Sequence, residues 1–185
     1  LTTGICNLAL GNQAAANLTT GCLNVALGQA ALGGGEVLGT NNVAIGTTAM
    51  DALTTGTDNV AIGRDALGAA TIALCNIAIG NCAMAGVTSP QADENVAIGI
   101  GAIHGNVNTT GTRNVAIGRY TLDALTSGCR NVAIGQDALG AVTTGNWNVG
   151  IGACAGLGIS GSHCVINIGC GSNATTSGTT CIGGS

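Results

Sequence analysis

The chain has 185 residues, enough for a core of its own, and we treat 1–185 as a single repeat domain. Gly contributes 33 residues and charged residues only 6%, while Tyr120 and Trp147 are the only aromatics. Four basic residues and a net charge of −4 argue against nucleic-acid binding, which needs a basic surface. The most apolar stretch, 66–80, is interrupted by polar residues, so we expect no membrane insertion.

One pentapeptide, Asn-Val-Ala-Ile-Gly with near copies, recurs along the whole chain at spacings of 17–19 residues, with a last spacing of 14. Eleven such copies predict a repeat architecture, in which each unit buries its apolar face against the next. In chain order, the copies end at Gly11, Gly28, Gly46, Gly63, Gly80, Gly99, Gly118, Gly135, Gly152, Gly169 and Gly183.

Within each copy, a large apolar residue, a small residue and a second large apolar residue follow one another. This alternation has a period of two and predicts a short β-strand with its large side chains on one face. We expect Val and Ile to be sealed in the core. We expect the Ala face to permit close approach and to pack on sister chains.

The residue before each strand is Asn in nine successive copies. Stacked in register, these amides could hydrogen-bond along the axis as a ladder, and an ordinary turn role is a compatible alternative. The column consists of Asn7, Asn24, Asn42, Asn59, Asn76, Asn95, Asn114, Asn131 and Asn148.

In six copies an Ala and a large apolar residue follow shortly after the Gly, as in Ala66-Leu67, and we interpret this pair as a second short strand or an extended corner. A Thr-Thr-Gly turn such as Thr54–Gly56 then leads to the next copy. Helices are excluded by the period of two and by the frequent Gly. The predicted fold class is all-β, a β-solenoid (β-roll or β-helix) of about eleven 17–19-residue coils, forming a rod roughly 50 Å long.

The repeats between Gly80 and Gly118 are each two residues longer, and insertions in solenoids often mark a binding face. A tolerated bulge in a turn is the alternative. Glu94 and Arg113 fall on adjacent coils and could form an ion pair. A candidate binding patch near the insertions 87–94 and 103–108 comprises Asp93, Glu94, His104, Tyr120 and Trp147.

The nine cysteines include no C-x-x-C pair. Cys6 and Cys22 fall on adjacent coils and are a candidate disulfide, although Cys residues also serve as small buried apolar groups. Two histidines are too few and wrongly spaced for zinc, so we expect no metal and no cofactor.

Catalytic residues are not expected, and we do not predict an enzyme. No Ser or Cys nucleophile has a recognisable base partner in the repeat frame. The carboxylates Asp93 and Glu94 could belong to a polysaccharide-degrading tailspike, but two aromatics make a long sugar-binding groove a weak prediction. An ice-binding surface would need an ordered Thr array, whereas Thr-Thr here falls in turns.

The combination of Leu53–Gly56 with Asn59–Leu67 resembles the repeats of trimeric autotransporter adhesin heads and of viral and bacteriophage tail fibres. This resemblance covers essentially the whole chain. It implies a left-handed β-roll or related β-solenoid, commonly a homotrimer, that acts as an adhesive or spacer rod.

We therefore expect a structural fibre protein at the cell surface, on a virion or in the extracellular space. Its main partner would be itself, as a homotrimer or an end-to-end filament. The alternative is an adhesin module that binds a host-surface receptor or glycan.

Overall fold

The computed structural model describes residues 3–89, 91–105 and 109–183. Within them lie eleven strands of three residues each, one for every copy of the repeat. The strands are β1 Leu8–Leu10, β2 Val25–Leu27, β3 Val43–Ile45, β4 Val60–Ile62, β5 Ile77–Ile79, β6 Val96–Ile98, β7 Val115–Ile117, β8 Val132–Ile134, β9 Val149–Ile151, β10 Ile166–Ile168 and β11 Thr180–Ile182.

All eleven strands form one parallel sheet in chain order, each pairing with its sequence neighbours. The register follows the repeat: Val60 lies opposite Ile77, 17 positions on, and Ile77 lies opposite Val96, 19 positions on. Adjacent parallel strands separated by a single coil of chain are the defining feature of a solenoid. The predicted β-solenoid is confirmed, with about ten turns of roughly 17 residues.

The orientation of the strands corrects the expectation from the sequence. In β2 to β8 the central Ala points into the coil: Ala44, Ala61 and Ala97 are fully buried. The flanking large residues face outward, and Ile62 and Ile134 remain 36% and 37% exposed. The Ala face therefore cannot pack on sister chains. A period of two defines two faces but does not decide which one is inside.

The residues that enforce this orientation come from the opposite wall of the coil. Leu67 is fully buried, as are its equivalents in neighbouring coils. At Gly150, which replaces Ala in β9, an added Cβ would lie 2.7 Å from Leu139 Cγ. Large side chains from the wall thus fill the narrow interior, and the inward strand position opposite them is kept small, as Ala in most coils and as Gly in β9. The wall residues are Leu32, Met50, Leu67, Met84, Ile103, Leu122 and Leu139.

The Ala-Leu pair belongs to a turn and not to the second strand or extended corner predicted from the sequence. Leu67 has φ 50°, and its equivalents share this left-handed conformation. Such a conformation costs about 1 kcal/mol or more for a residue with a Cβ. Burial of a Leu side chain contributes roughly 1.5–3 kcal/mol, which outweighs that cost.

The predicted bend after each strand is present. Gly63 has φ +133°, and an added Cβ would lie 2.4 Å from the carbonyl oxygen of Gly80 in the next coil. Successive coils therefore approach at this corner more closely than any side chain allows. Of the two predicted insertions, Pro90 and residues 106–108 lie outside the described residues.

Candidate functional site

The asparagine column lies inside the rod, at the entrance to each strand. From Asn24 to Asn148 its members are at most 1% exposed. Each side-chain oxygen from Asn7 to Asn131 accepts a hydrogen bond from the backbone N–H of the next asparagine, at 2.9–3.1 Å. The column therefore forms a ladder of amides that runs along the axis.

A single rung shows how the ladder satisfies its own polar atoms. Asn114 Nδ2 donates to Asn95 Oδ1 at 3.1 Å and to the carbonyl oxygen of Gly128 at 2.9 Å. Asn114 Oδ1 accepts from the backbone N–H of Asn131 at 2.9 Å and from its Nδ2 at 3.0 Å. Each amide thus joins three coils and binds the turn of the following one. Among the described residues, no buried side-chain nitrogen or oxygen lacks a partner.

The ladder ends where Val165 replaces the asparagine, and its N–H donates to Asn148 Oδ1 at 2.9 Å. In the same coil, Asn167 occupies the inward position that is usually Ala and is fully buried. Its amide donates to the carbonyl oxygen of Ala174 and accepts from the Ala174 N–H. The departure of this coil from the repeat therefore supplies a substitute polar contact.

A second column, immediately before the asparagines, projects into solvent. It contains Glu94, Arg113, Arg130 and Trp147 on four consecutive coils, and we call it the edge column. Arg113 donates two hydrogen bonds to the Glu94 carboxylate, at 2.8 and 3.1 Å. This bonding to Arg113 lowers the pKa of Glu94 and raises that of Arg113. The Arg130 guanidinium lies 4.6 Å from the centre of the Trp147 ring.

The five residues of the predicted binding patch do not form one surface. Glu94 and Trp147 share the edge column but lie three coils apart. Asp93 is one residue earlier, and its carboxylate accepts the Leu74 N–H at 2.9 Å. Burial is the main reason that the pKa of Asp93 is raised. Tyr120 comes after strand β7, whereas the edge column comes before the strands. The Arg119 guanidinium lies 4.7 Å from the centre of the Tyr120 ring.

His104, the fifth predicted residue, lies beyond the wall residue Ile103 and away from the edge column. Its neighbour in the next coil is Asp123. Burial is the first cause that raises the pKa of Asp123; the carboxylate of Asp137 adds to this shift and His104 opposes it. The structure thus divides the predicted patch among three sides of the rod.

The outward strand side chains form a continuous apolar surface that sequence reasoning placed in the core. Two columns of mostly Val, Ile and Leu run the length of the sheet, one from each end of every strand, and we call them the apolar stripe. Ile62, Ile117 and Ile151 are 36–37% exposed. An exposed apolar patch of several hundred Å² is often an interaction site.

All nine cysteines are free, including Cys6 and Cys22, so the predicted disulfide is not formed. The register explains this, because Cys22 stacks on Ile5, whose N–H lies 3.4 Å from its sulfur. Cys6 falls instead in the neighbouring column, with Leu23. No two cysteines occupy the same column in adjacent coils within the part of the chain that the structure describes.

Across the described ranges, no group of three or more His, Cys, Asp or Glu side chains could hold a metal ion. The same residues include no helix with the length and apolarity needed to cross a membrane.

The fold defines the chain as a β-solenoid repeat protein. Comparison with protein families, with curated proteins and with solved structures found no match.

Proposed function

We propose that the protein is a structural rod that assembles with further copies of itself through the apolar stripe, at a cell or virion surface or in the extracellular space. The single observation that carries this proposal is the exposure of β-branched side chains along the whole outer face of the sheet. Ile134 is 37% exposed, although its neighbour Ala133 is fully buried. The resemblance to adhesin-head and tail-fibre repeats supports the same role.

The size of the stripe is adequate for association. Residues two apart on a strand are about 7 Å apart, and eleven strands at about 4.8 Å span roughly 50 Å. With the width of the side chains included, the stripe covers about 500 Å² per chain. Two stripes in contact would bury about 1,000 Å² in total, which is the lower limit for a specific interface.

The shape and charge of the stripe also suit a second copy. A flat face carrying identical side chains at a constant spacing can interdigitate with another face of the same spacing. Charged residues do not enter the strands, and the net charge of −4 gives little repulsion between copies. The partner that matches this surface best is therefore the same chain.

The test is the mass of the protein in solution. We expect the wild type to sediment as an oligomer at micromolar concentrations and Ile134→Lys to sediment as a monomer with an unchanged circular dichroism spectrum. Gln136→Lys adds the same charge two residues away, at an exposed position outside the stripe, and should assemble like the wild type. A wild-type protein that remains monomeric at about 100 µM would refute the proposal.

A further inference from the structure

Trp147 is the only tryptophan of the chain, and its side chain is 55% exposed. Trp is enriched at binding surfaces because it combines a large apolar face with a polar N–H. One face of the ring is covered by the Arg130 guanidinium, 4.6 Å from the ring centre. No other ring or cation is stacked on Trp147 among the described residues, so the openness of its second face depends on the coils that follow.

The coils that follow Trp147 leave room above this open face. In the same column, the next coil carries Cys164, a small exposed residue. The coil after that carries Gly178, and an added Cβ there would meet no atom within 4 Å. Cys164 lies about 4.8 Å further along the rod, but its side chain is much shorter than an indole, so it leaves the outer part of the Trp147 ring uncovered. The notch above Trp147 is therefore open enough for a pyranose ring.

Three hydrogen-bond donors around this notch have no partner within the described chain. The Arg130 guanidinium makes no ion pair or hydrogen bond, whereas Arg113, one coil earlier, is held by Glu94. The Trp147 indole N–H is also unpaired. His163 accepts the Asn146 N–H at its Nδ1, so its proton is on Nε2, which is unpaired as well.

From this geometry we propose that the notch formed by Trp147, Arg130, His163 and Cys164 binds a carboxylated saccharide. The pyranose ring stacks on the open face of Trp147, as aromatic platforms bind apolar ring faces. The sugar carboxylate pairs with the Arg130 guanidinium at the margin of the Trp147 ring, where two parallel N–H groups match two carboxylate oxygens. His163 Nε2–H donates to a ring hydroxyl.

This site is separate from the apolar stripe, so binding and assembly are independent properties. A carboxylate is favoured over a neutral sugar because Arg130, unlike Arg113, makes no direct ion pair among the described residues, and Glu94 acts on it only at longer range. Sulfate is also an anion that Arg binds. The experiment therefore includes a sulfated sugar as a separate probe.

The intact protein offers a direct readout because Trp147 is the sole tryptophan. We expect methyl glucuronide to quench or shift its fluorescence with a dissociation constant near 1 mM. Methyl glucoside should bind at least tenfold more weakly, and glucose 6-sulfate should not exceed the glucuronide. Absence of any glucuronide response up to about 20 mM, or tighter binding of the sulfated sugar, would overturn the assignment.

Variants separate the site from general surface charge. Arg130→Gln should weaken glucuronide binding at least tenfold and leave glucoside binding unchanged. Arg113→Gln is the matched control, one coil away in the same column, and should leave glucuronide binding unchanged. Trp147→Leu should abolish saturation transfer to both sugars in ligand-observed NMR, an assay that does not need the fluorophore. Equal losses in Arg130→Gln and Arg113→Gln would contradict the proposal.

Sedimentation of the same samples distinguishes the two proposals. A protein that assembles but does not bind glucuronide refutes only the saccharide site. A monomer that binds glucuronide refutes only the assembly through the stripe.

Discussion

Removing one amide from the ladder tests the origin of the rod's stability. In Asn114→Ala, the backbone N–H of Asn131 loses its only acceptor and the carbonyl oxygen of Gly128 loses the Nδ2 donor. A buried polar group left without a partner costs about 1–3 kcal/mol. Two such groups predict a loss of about 2–6 kcal/mol in the free energy of unfolding.

Urea denaturation followed by circular dichroism measures this loss, with Asn12→Ala as control. Asn12 is exposed, so the same chemical change should cost at most about 0.5 kcal/mol. Because stacked repeats can unfold in parts, hydrogen exchange at the Asn131 amide provides a local readout. We expect its protection to fall sharply in Asn114→Ala. Equal stability of the two variants, with the Asn131 amide still protected, would refute the ladder as a source of stability.

Three further predictions concern the backbone and the carboxylates. Cys75 is exposed at φ 58°, so Cys75→Gly should be more stable than Cys75→Ala by about 1 kcal/mol in urea denaturation; equal values would contradict the strain argument. Gly63→Ala should lower the melting temperature far more than Gly178→Ala, because only the first introduces a clash with the next coil. Burial is the largest cause that raises the pKa of Asp51 above 3.8, and a neighbouring carboxylate adds to it. The protonated Asp51 carboxyl therefore contributes fully to stability below pH 3.8, and this contribution is lost as the pH rises through the folded-state pKa. Asp51→Asn should therefore be more stable than the wild type at pH 7 and equal to it below pH 3.8, and an equal gain at both pH values would exclude ionisation as the cause.

The strand positions and their pairing could be predicted from the sequence because both depend on the repeat. Eleven copies at nearly constant spacing bury their apolar faces when each copy stacks on the next. The asparagines share one position in that repeat, so the column in which they stack was also accessible. These features need only the order of residues along the chain and the spacing of β-strands.

Which side chains of each strand point into the core could not be predicted in this way. Val and Ile favour strands whether they point inward or outward, and a period of two is satisfied by either choice. The choice depends on the opposite wall of the coil, where residues such as Leu67 adopt a left-handed conformation and fill the interior. The second strand predicted at the Ala-Leu pair was wrong for a related reason. The pair carries no local signal that its second residue adopts a positive φ.

The candidate saccharide site illustrates the same limit. The sequence placed Trp147 in a candidate binding patch, but Tyr120 and His104 of that patch lie away from the edge column. Arg130 becomes its partner only because the register stacks residues 17 positions apart, and Gly178 leaves the notch open only in three dimensions.

The amino-acid sequence by itself determined that the chain is a stack of repeated strands with asparagine at each entrance, because periodicity is a property of the linear order. Only the tertiary structure decided which side chains are buried, that Cys6 and Cys22 stay free and which surfaces stay open. Those outcomes depend on how much space a single coil encloses, and that space is defined by side chains that come from opposite walls of the rod.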